Sequence, residues 1–316
     1  MRRRQAIGAG VAGALAVGLV AGCSGSGGGG GGASPSATPR ATGSTGPVRS
    51  VLTGEPGPAG RVVAVKIDNV AAARPQTGLN SADLVYGIEV EGGLSRLMAV
   101  LDSNHLPPVI GPVRSARETD LQLLADYNHP VLAFSGAQSE LLPVLKKSSQ
   151  LAARTGTRDF FRNPGRPAPH NEYLRPKGVA GDGGTAQDIG LRFAAKTPAG
   201  GTPVTTTSAS MPSARFTFSW NGSQYRVAMD GRRTAWTADN VIVQHVIVKE
   251  SRFHSRTGFV PFSETVGSGT AVVLRDGRSY SVRWSRPAET SGTTFRLGGA
   301  TLPLRPGRTW IILEPR

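Results

Sequence analysis

Apolar positions change their pattern three times along the chain. From Ala6 to Gly22 they form an almost uncharged run of Ala, Gly, Val, Ile and Leu, directly after Met1-Arg2-Arg3-Arg4. A basic start before a short apolar run is the layout of a secretory signal, and the run is poorer in strongly apolar residues than the roughly 20 that a membrane span needs. General secretion is the expected route for a signal over residues 1–22. Residues 23–50 are mostly Gly, Ser, Ala, Thr and Pro, with an unbroken Gly run at 27–32. Such a stretch buries too little apolar surface to offset its ordering entropy and reads as a flexible tether.

Over 51–196 the pattern mixes two periods. Val62 to Ile67, Leu84 to Val90, Arg96 to Leu101 and Val131 to Phe134 read as buried strands. Ser115-Ala116-Arg117-Glu118 reads as a capping box, Ser115 at the N-cap and Glu118 at N3, opening a helix through Asn128. Ser139 to Lys147 and Thr185 to Ala195 are further expected helices. Residues 197–212, rich in Thr, Ser, Pro and Gly, read as a linker. Over 213–316, Asn221-Gly222, Asp230-Gly231 and Asp276-Gly277 sit between alternating runs as hairpin turns, and Val241 to Val248 reads as a central, doubly buried strand. The expected fold class is α+β: a mixed α/β N-terminal domain followed by a small, mainly antiparallel all-β C-terminal domain.

Composition supports this division. With 42 Gly and 23 Pro and only 6% aromatic residues in 316, the composition disfavours a single helical bundle or coiled coil. Thirty-six basic against 21 acidic residues give a formal charge of +15, which favours polyanionic neighbours. Loss of the signal's three arginines lowers it to +12. The basic residues are scattered rather than clustered with aromatics, so wall polymer or phospholipid is expected in preference to nucleic acid. Cys23 is the single cysteine, which excludes an internal disulfide. Val20-Ala21-Gly22-Cys23 resembles the bacterial lipobox, in which the Cys thiol is acylated and the chain is cut before it. The expectation is a lipidated Cys23, with fatty acyl groups such as palmitate, holding the protein on the outer face of the cytoplasmic membrane.

Four polar clusters carry candidate chemistry. In Ile110-Gly111-Pro112-Val113-Arg114-Ser115-Ala116-Arg117, the capping box sets Arg114 and Arg117 at a helix start, where cations oppose the helix dipole at about 0.3 to 1 kcal/mol each. Either a bound anion compensates them or protein carboxylates do, with Glu118, Asp120, Glu89 and Glu91 as the candidates. Lys66-Ile67-Asp68-Asn69 ends the first strand, and Asp68 is open to the roles of base, metal ligand or turn cap. Glu89 and Glu91 on one strand would share a face; their repulsion would raise one pKa, unless they pair with Arg96, Arg114 and Arg117. His170-Asn171, in a Pro-rich loop, offers an acid/base with an orienting amide, or a purely structural pair.

No phosphate-binding glycine loop, nucleophile elbow or Cys/His zinc spacing occurs, so no cofactor and no metal site are expected. The strings Val65 to Asn69, Ala73 to Tyr86, Glu91-Gly92-Gly93 with Arg96, Ile110 to Arg117 and Ala168 to Asn171 resemble the YerB-like lipoproteins. Asp239 to Gln244, Gly267-Ser268-Gly269 and Pro306 to Ile311 extend the resemblance through the β half. Gly87 departs from the family pattern, where a larger or acidic residue is usual. The resemblance implies a lipid-anchored envelope protein with two domains of unknown function and no assigned catalytic residue.

The leading expectation is binding of an anionic wall component or a wall-synthesis partner through Arg96, Arg114 and Arg117, bordered by Asn69, Ser115 and Asn171, with the β half as a positioning module. The alternative is an envelope hydrolase or transferase acting on glycan or phosphodiester, with Asp68, Glu91 or His170 as catalytic candidates. Whether the protein is an enzyme stays open on the sequence.

Overall fold

The Val-, Ile- and Leu-rich stretches do become strands, and most of them join a single sheet. The computed structural model describes residues 47–254 and 258–316; the signal, Cys23 and the tether as far as residue 46 lie outside the described residues. The first part carries β1 (Val62–Asp68), β2 (Leu84–Glu89), β3 (Ser95–Asp102), α1 (Glu118–Leu124), β4 (Val131–Ala133), α2 (Leu141–Lys147), β5 (Ala152–Arg154), β6 (Phe160–Arg162) and β7 (Glu172–Leu174). Two strands, β8 (Thr202–Pro203) and β9 (Thr206–Met211), lie within 197–212. There follow β10 (Ala214–Trp220), β11 (Tyr225–Met229), β12 (Arg232–Ala238), β13 (Asn240–Val246), β14 (Val248–Glu250) and β15 (Pro261–Ser263). The last are β16 (Gly267–Arg275), β17 (Arg278–Arg286), β18 (Thr294–Leu297), β19 (Ala300–Thr301) and β20 (Thr309–Pro315).

A 12-stranded sheet runs in the order β19-β18-β17-β16-β13-β20-β2-β3-β1-β4-β5, with β8 beside β17. The C-terminal strand joins its two halves. β20 pairs in parallel with β13 on one side and with β2 on the other, so Thr309 lies opposite both Asn240 and Leu84. Both faces are covered. On one face Val62, Ala64, Met98 and Val100 pack with Leu123 and Leu124 of α1 and Leu141 and Leu145 of α2. On the other, Val63, Val65, Leu97 and Ala99 pack with Phe216, Phe218 and Trp236, which belong to a separate sheet of order β12-β11-β10-β9. A strand buried on both sides reads as a continuous apolar run rather than an alternation. That accounts for the sequences of β1, β13 and β20.

The hairpin turns follow local chemistry. Asp230-Gly231 and Asp276-Gly277 have φ values of 52°, 75°, 51° and 70°, the left-handed pair that matches strand twist. At 221–224 the Asn221 side chain accepts from the Ser223 and Gln224 amides.

The expected mixed α/β character of the N-terminal half is not found. The described chain is mostly β, and its α-helices are two segments of seven residues. Thr185 to Ala195 forms no helix: Gly190 has φ 90°, and a Cβ there would meet the Thr293 carbonyl oxygen at 2.5 Å. The segment instead lays Ile189 and Leu191 onto the helical face of the sheet. The capping box is also displaced. Arg117 is the N-cap of α1, and its N–H donates to Asp120 Oδ2 at N3 (2.8 Å). Ser115 stays outside the helix, because its neighbours bond out of any helix, Arg114 N–H to the Lys66 carbonyl and Ala116 N–H to the Gly136 carbonyl. α1 stops at Leu124, short of the left-handed Asn128 and His129.

Trp310 on β20 is 1% exposed and touches Phe216, Phe218 and Trp236 at ring separations of 6.3, 6.3 and 5.4 Å. Trp310→Ala is expected to lower stability by about 3–5 kcal/mol. Because β20 is shared, urea denaturation followed by circular dichroism should still give one transition; two transitions would show that the halves fold independently.

Candidate functional site

The polar motifs meet at the end of the sheet where β1 stops and β3 starts. Antiparallel pairing sets Asp68 opposite Arg96, and Arg96 also faces Ile88 of β2. Lys66, Asp68 and Arg96 share the parity of Val62, Ala64, Met98 and Val100, and therefore the face covered by α1. Lys66 Nζ lies 2.7 Å from Asp120 Oδ1, both side chains fully buried. Burial pulls the Lys66 pKa down, and Arg96 and Arg117 press it further, against the pull of Asp120. Asp120 thus does two jobs, capping α1 with one oxygen and pairing Lys66 with the other.

Asp68 is the centre of the cluster. Its side chain is 2% exposed, and Oδ2 lies 2.8 Å from His170 Nδ1 and 3.2 Å from Arg114 Nε. When Nδ1–H donates to the carboxylate, the neutral ring presents its Nε2 lone pair. Beside this, Arg96 donates through Nη1 to the Ser115 carbonyl (2.9 Å) and lies within ion-pair distance of no carboxylate among the described residues. Burial, with Arg117 and Arg114 nearby, pulls its pKa down to about 10. Arg117 is differently placed: its Nε and Nη2 grip Glu91 at 2.6 and 2.8 Å, and Nη1 donates to the Ala116 carbonyl.

Glu89 and Glu91 do not share a strand face, which corrects the expectation of a repelling pair. β2 ends at Glu89, and Glu91 starts a tight turn with Gly92 and Gly93 at φ 70° and 67°. Burial raises the Glu89 pKa without help from Glu91. Burial also pushes Glu91 upward, but the bidentate bond and charge of Arg117 override it and hold it below the usual carboxylate range.

Other sequence candidates turn out to be framework. Asn69 is 1% exposed and donates to Ser95 Oγ (2.8 Å), while its carbonyl accepts from Arg74 Nε and Nη2. Ser115 contributes its carbonyl, and Asn171 accepts from Arg162. Lys66 and Asp120 were both named, in the strand-end string and among the candidate carboxylates, but not as partners of each other, and Arg166, which holds the adjoining loop, was not foreseen. The guanidinium of Arg166 holds the Ala73 and Pro75 carbonyls. A lysine inside a doubly buried apolar strand is a usable signal, since such a charge needs a partner; nothing local marks Arg166. Among the described residues no three His, Cys, Asp or Glu side chains converge as metal ligands.

The chain is therefore a mainly β protein with a buried ionic network at one sheet end, from which Arg114 and His170 reach solvent, 28% and 18% exposed. Residues 52–188 and 204–311 match the N-terminal and C-terminal domains of DUF3048, a protein of unknown function, and the chain belongs to that family. It is 48% identical over 58 residues to the "Putative lipoprotein YerB" of Bacillus subtilis, a match spanning 18% of this chain and only 17% of that relative. Its fold is that of the crystal structure of the YerB protein from Bacillus subtilis, with a TM-score of 0.72 over 85% of this chain and 97% of the other, at 20% identity.

Two consequences are measurable. Lys66→Met leaves Asp120 buried without its counter-ion and should cost about 3–5 kcal/mol, part of which Asp120→Asn in the same chain should restore; urea midpoints of the single and double variants decide it. Glu91→Gln should cost roughly 1 kcal/mol or less near neutral pH. Since the folded Glu91 pKa is depressed, its contribution is complete above the unfolded carboxylate pKa and vanishes as pH falls through the folded value. Parent and variant should therefore converge in acid.

Proposed function

We propose that the protein is a lipid-anchored envelope protein, held through Cys23 on the outer face of the cytoplasmic membrane, that binds an anionic wall component at the end of β1. The anchoring is supported by the Val20-Ala21-Gly22-Cys23 string and by the printed name of the Bacillus subtilis relative, a putative lipoprotein. The binding is carried by one observation. Arg96 and Arg114 lie close enough for their charges to repel, Arg96 using a single donor on a carbonyl and Arg114 shared with an Asp68 that His170 also occupies. Guanidinium groups with free donors in a partly dehydrated setting bind carboxylate or phosphate in a forked geometry. Arg117, expected as a third binding arginine, is instead engaged by Glu91 and steadies the wall of the site.

The Asp68–His170 contact supports a second reading, an envelope hydrolase or transferase. A carboxylate that orients an imidazole leaves Nε2 free to take a proton from an attacking hydroxyl, and the arginines would stabilise the anion that develops.

Arg114→Gln removes one of the two groups that hold the buried Asp68 and leaves His170 on it, so it should lower the melting temperature modestly, and it should weaken retention of the still-folded variant on purified wall fragments by about tenfold or more at low salt. Unchanged retention would sink the binding site. Wall polymer recovered intact by mass analysis after incubation with the parent would sink the enzyme reading.

A further inference from the structure

A second enclosed charge lies away from the Asp68 cluster. Asp126 follows α1, and its side chain is 5% exposed; Oδ1 lies 3.4 Å from Nη2 of Arg286 on β17, which is 1% exposed. The pair crosses the seam between the two family-defined regions. It is an ion pair without a hydrogen bond. Nη2 carries two hydrogens, and both are spent, on the Gln122 carbonyl at 2.8 Å and the Glu289 carbonyl at 2.5 Å. Nη1 and Nε donate elsewhere, to Thr265 Oγ1 and the Ser291 carbonyl. Asp126 Oδ1 is therefore a buried oxygen with no donor.

No neighbour makes up the loss. Asp126 lines a cavity of about 10 Å³, with room for about one water molecule, so bulk solvent does not hydrate the charge. The ionisable groups that face Asp126 are Arg286 of β17, Tyr86 of β2 and Tyr127 beside it. The two tyrosine hydroxyls bond to each other at 2.5 Å, and among the described residues neither donates to Asp126. The rest of the lining, Gln244 of β13 and Phe295 of β18 included, carries no charge. A buried carboxylate short of hydrogen bonds favours its neutral form. Burial accordingly pushes the Asp126 pKa up to about 7, against the pull of Arg286. Arg286 keeps its acceptors either way, since they are carbonyls and a hydroxyl from other residues.

We propose that Asp126 is a proton-operated switch in the seam between the two regions. Uncharged, it lets α1 and β17 close on each other; ionised, it sets an unhydrated carboxylate between them and weakens the contact. The device uses none of Asp68, Arg96, Arg114 and His170 and does not rest on the proposed wall-binding role. In the unfolded chain the carboxyl takes up its proton only near the ordinary aspartate value of 3.8. Between that value and about 7 the folded chain holds the extra proton, so stability rises as pH falls through this window.

Urea denaturation of the parent and of Asp126→Asn, whose amide copies the uncharged carboxyl, tests the switch. At about pH 8.5 the variant should be the more stable of the two. Below about pH 7 the parent's folding constant should gain on the variant's by about tenfold for each pH unit. The histidines are common to both proteins and cancel in the comparison. In the carbon-13-labelled parent the Asp126 carboxyl carbon should titrate near neutral pH, a readout that does not depend on the variant's folding. A variant less stable than the parent at about pH 8.5, a difference that stays constant with pH, or an Asp126 carbon still in its ionised position at about pH 5.5 would overturn the proposal.

Discussion

β20 is the strand on which the rest of the molecule depends. It enters the large sheet between β13 and β2, parallel to both, and satisfies their inward-facing backbone groups at once. Without it each half would end in an open edge whose N–H and C=O groups would be left without partners, at a cost comparable to the hydrogen bonds lost. Its side chains also divide between the layers: Trp310 and Ile312 enter the core beneath the four-stranded sheet, Ile311 and Leu313 the core beneath the helices. The two family-defined regions are therefore bound through the last few residues of the chain, and loss of packing in β20 is felt in both.

The Asp68 cluster shows the same dependence on a smaller scale. The end of β1 is buried yet carries Lys66, Asp68 and Asn69, and each is matched to a partner from a different segment: Asp120 from α1, His170 and Arg114 from loops, Ser95 from β3. Burying charge without such partners would be prohibitive. Most of the polar residues in these motifs are accordingly framework, and spare donors remain on Arg96 and Arg114. Arg117 and Arg114 look equivalent in sequence. The turn at Gly92-Gly93 delivers Glu91 to Arg117, whereas Arg114 lies against Asp68 at the end of β1.

Much of the strand pattern was legible. β1, β13 and the turns at Asp230-Gly231 and Asp276-Gly277 follow from apolar runs and from residues that tolerate positive φ, both local properties. The helices were less so. The Ser115 capping box had the right residue types, but the neighbouring amides of Arg114 and Ala116 found β-type partners, and Asp120 capped Arg117 two residues further on. Thr185 to Ala195 had an apolar pattern compatible with a helix, but Gly190 packs against the backbone at Thr293, which an extended chain permits. Of the site, the residue set was visible and so was the pairing of Glu91 with the Arg114/Arg117 set, realised at Arg117; the other pairings were not, since Asp68 with His170 spans about a hundred residues and Arg166 bears no local mark at all.

The sequence alone determined where the long apolar strands such as β1 and β13 and the Asp-Gly turns fall, though not β8 and β9 within the expected linker, that Cys23 can form no internal disulfide, and which polar strings stand out from an apolar background. Those are consequences of side-chain period, backbone freedom and composition, which act over a few residues. The tertiary structure decided that the two halves share one sheet through β20, that Asp68 holds His170 and Arg114, and that Glu91 takes Arg117. Each of these is a contact between segments far apart in the chain. Its existence depends on strand order and on which buried group lacked a partner, and neither is encoded in any short stretch of sequence.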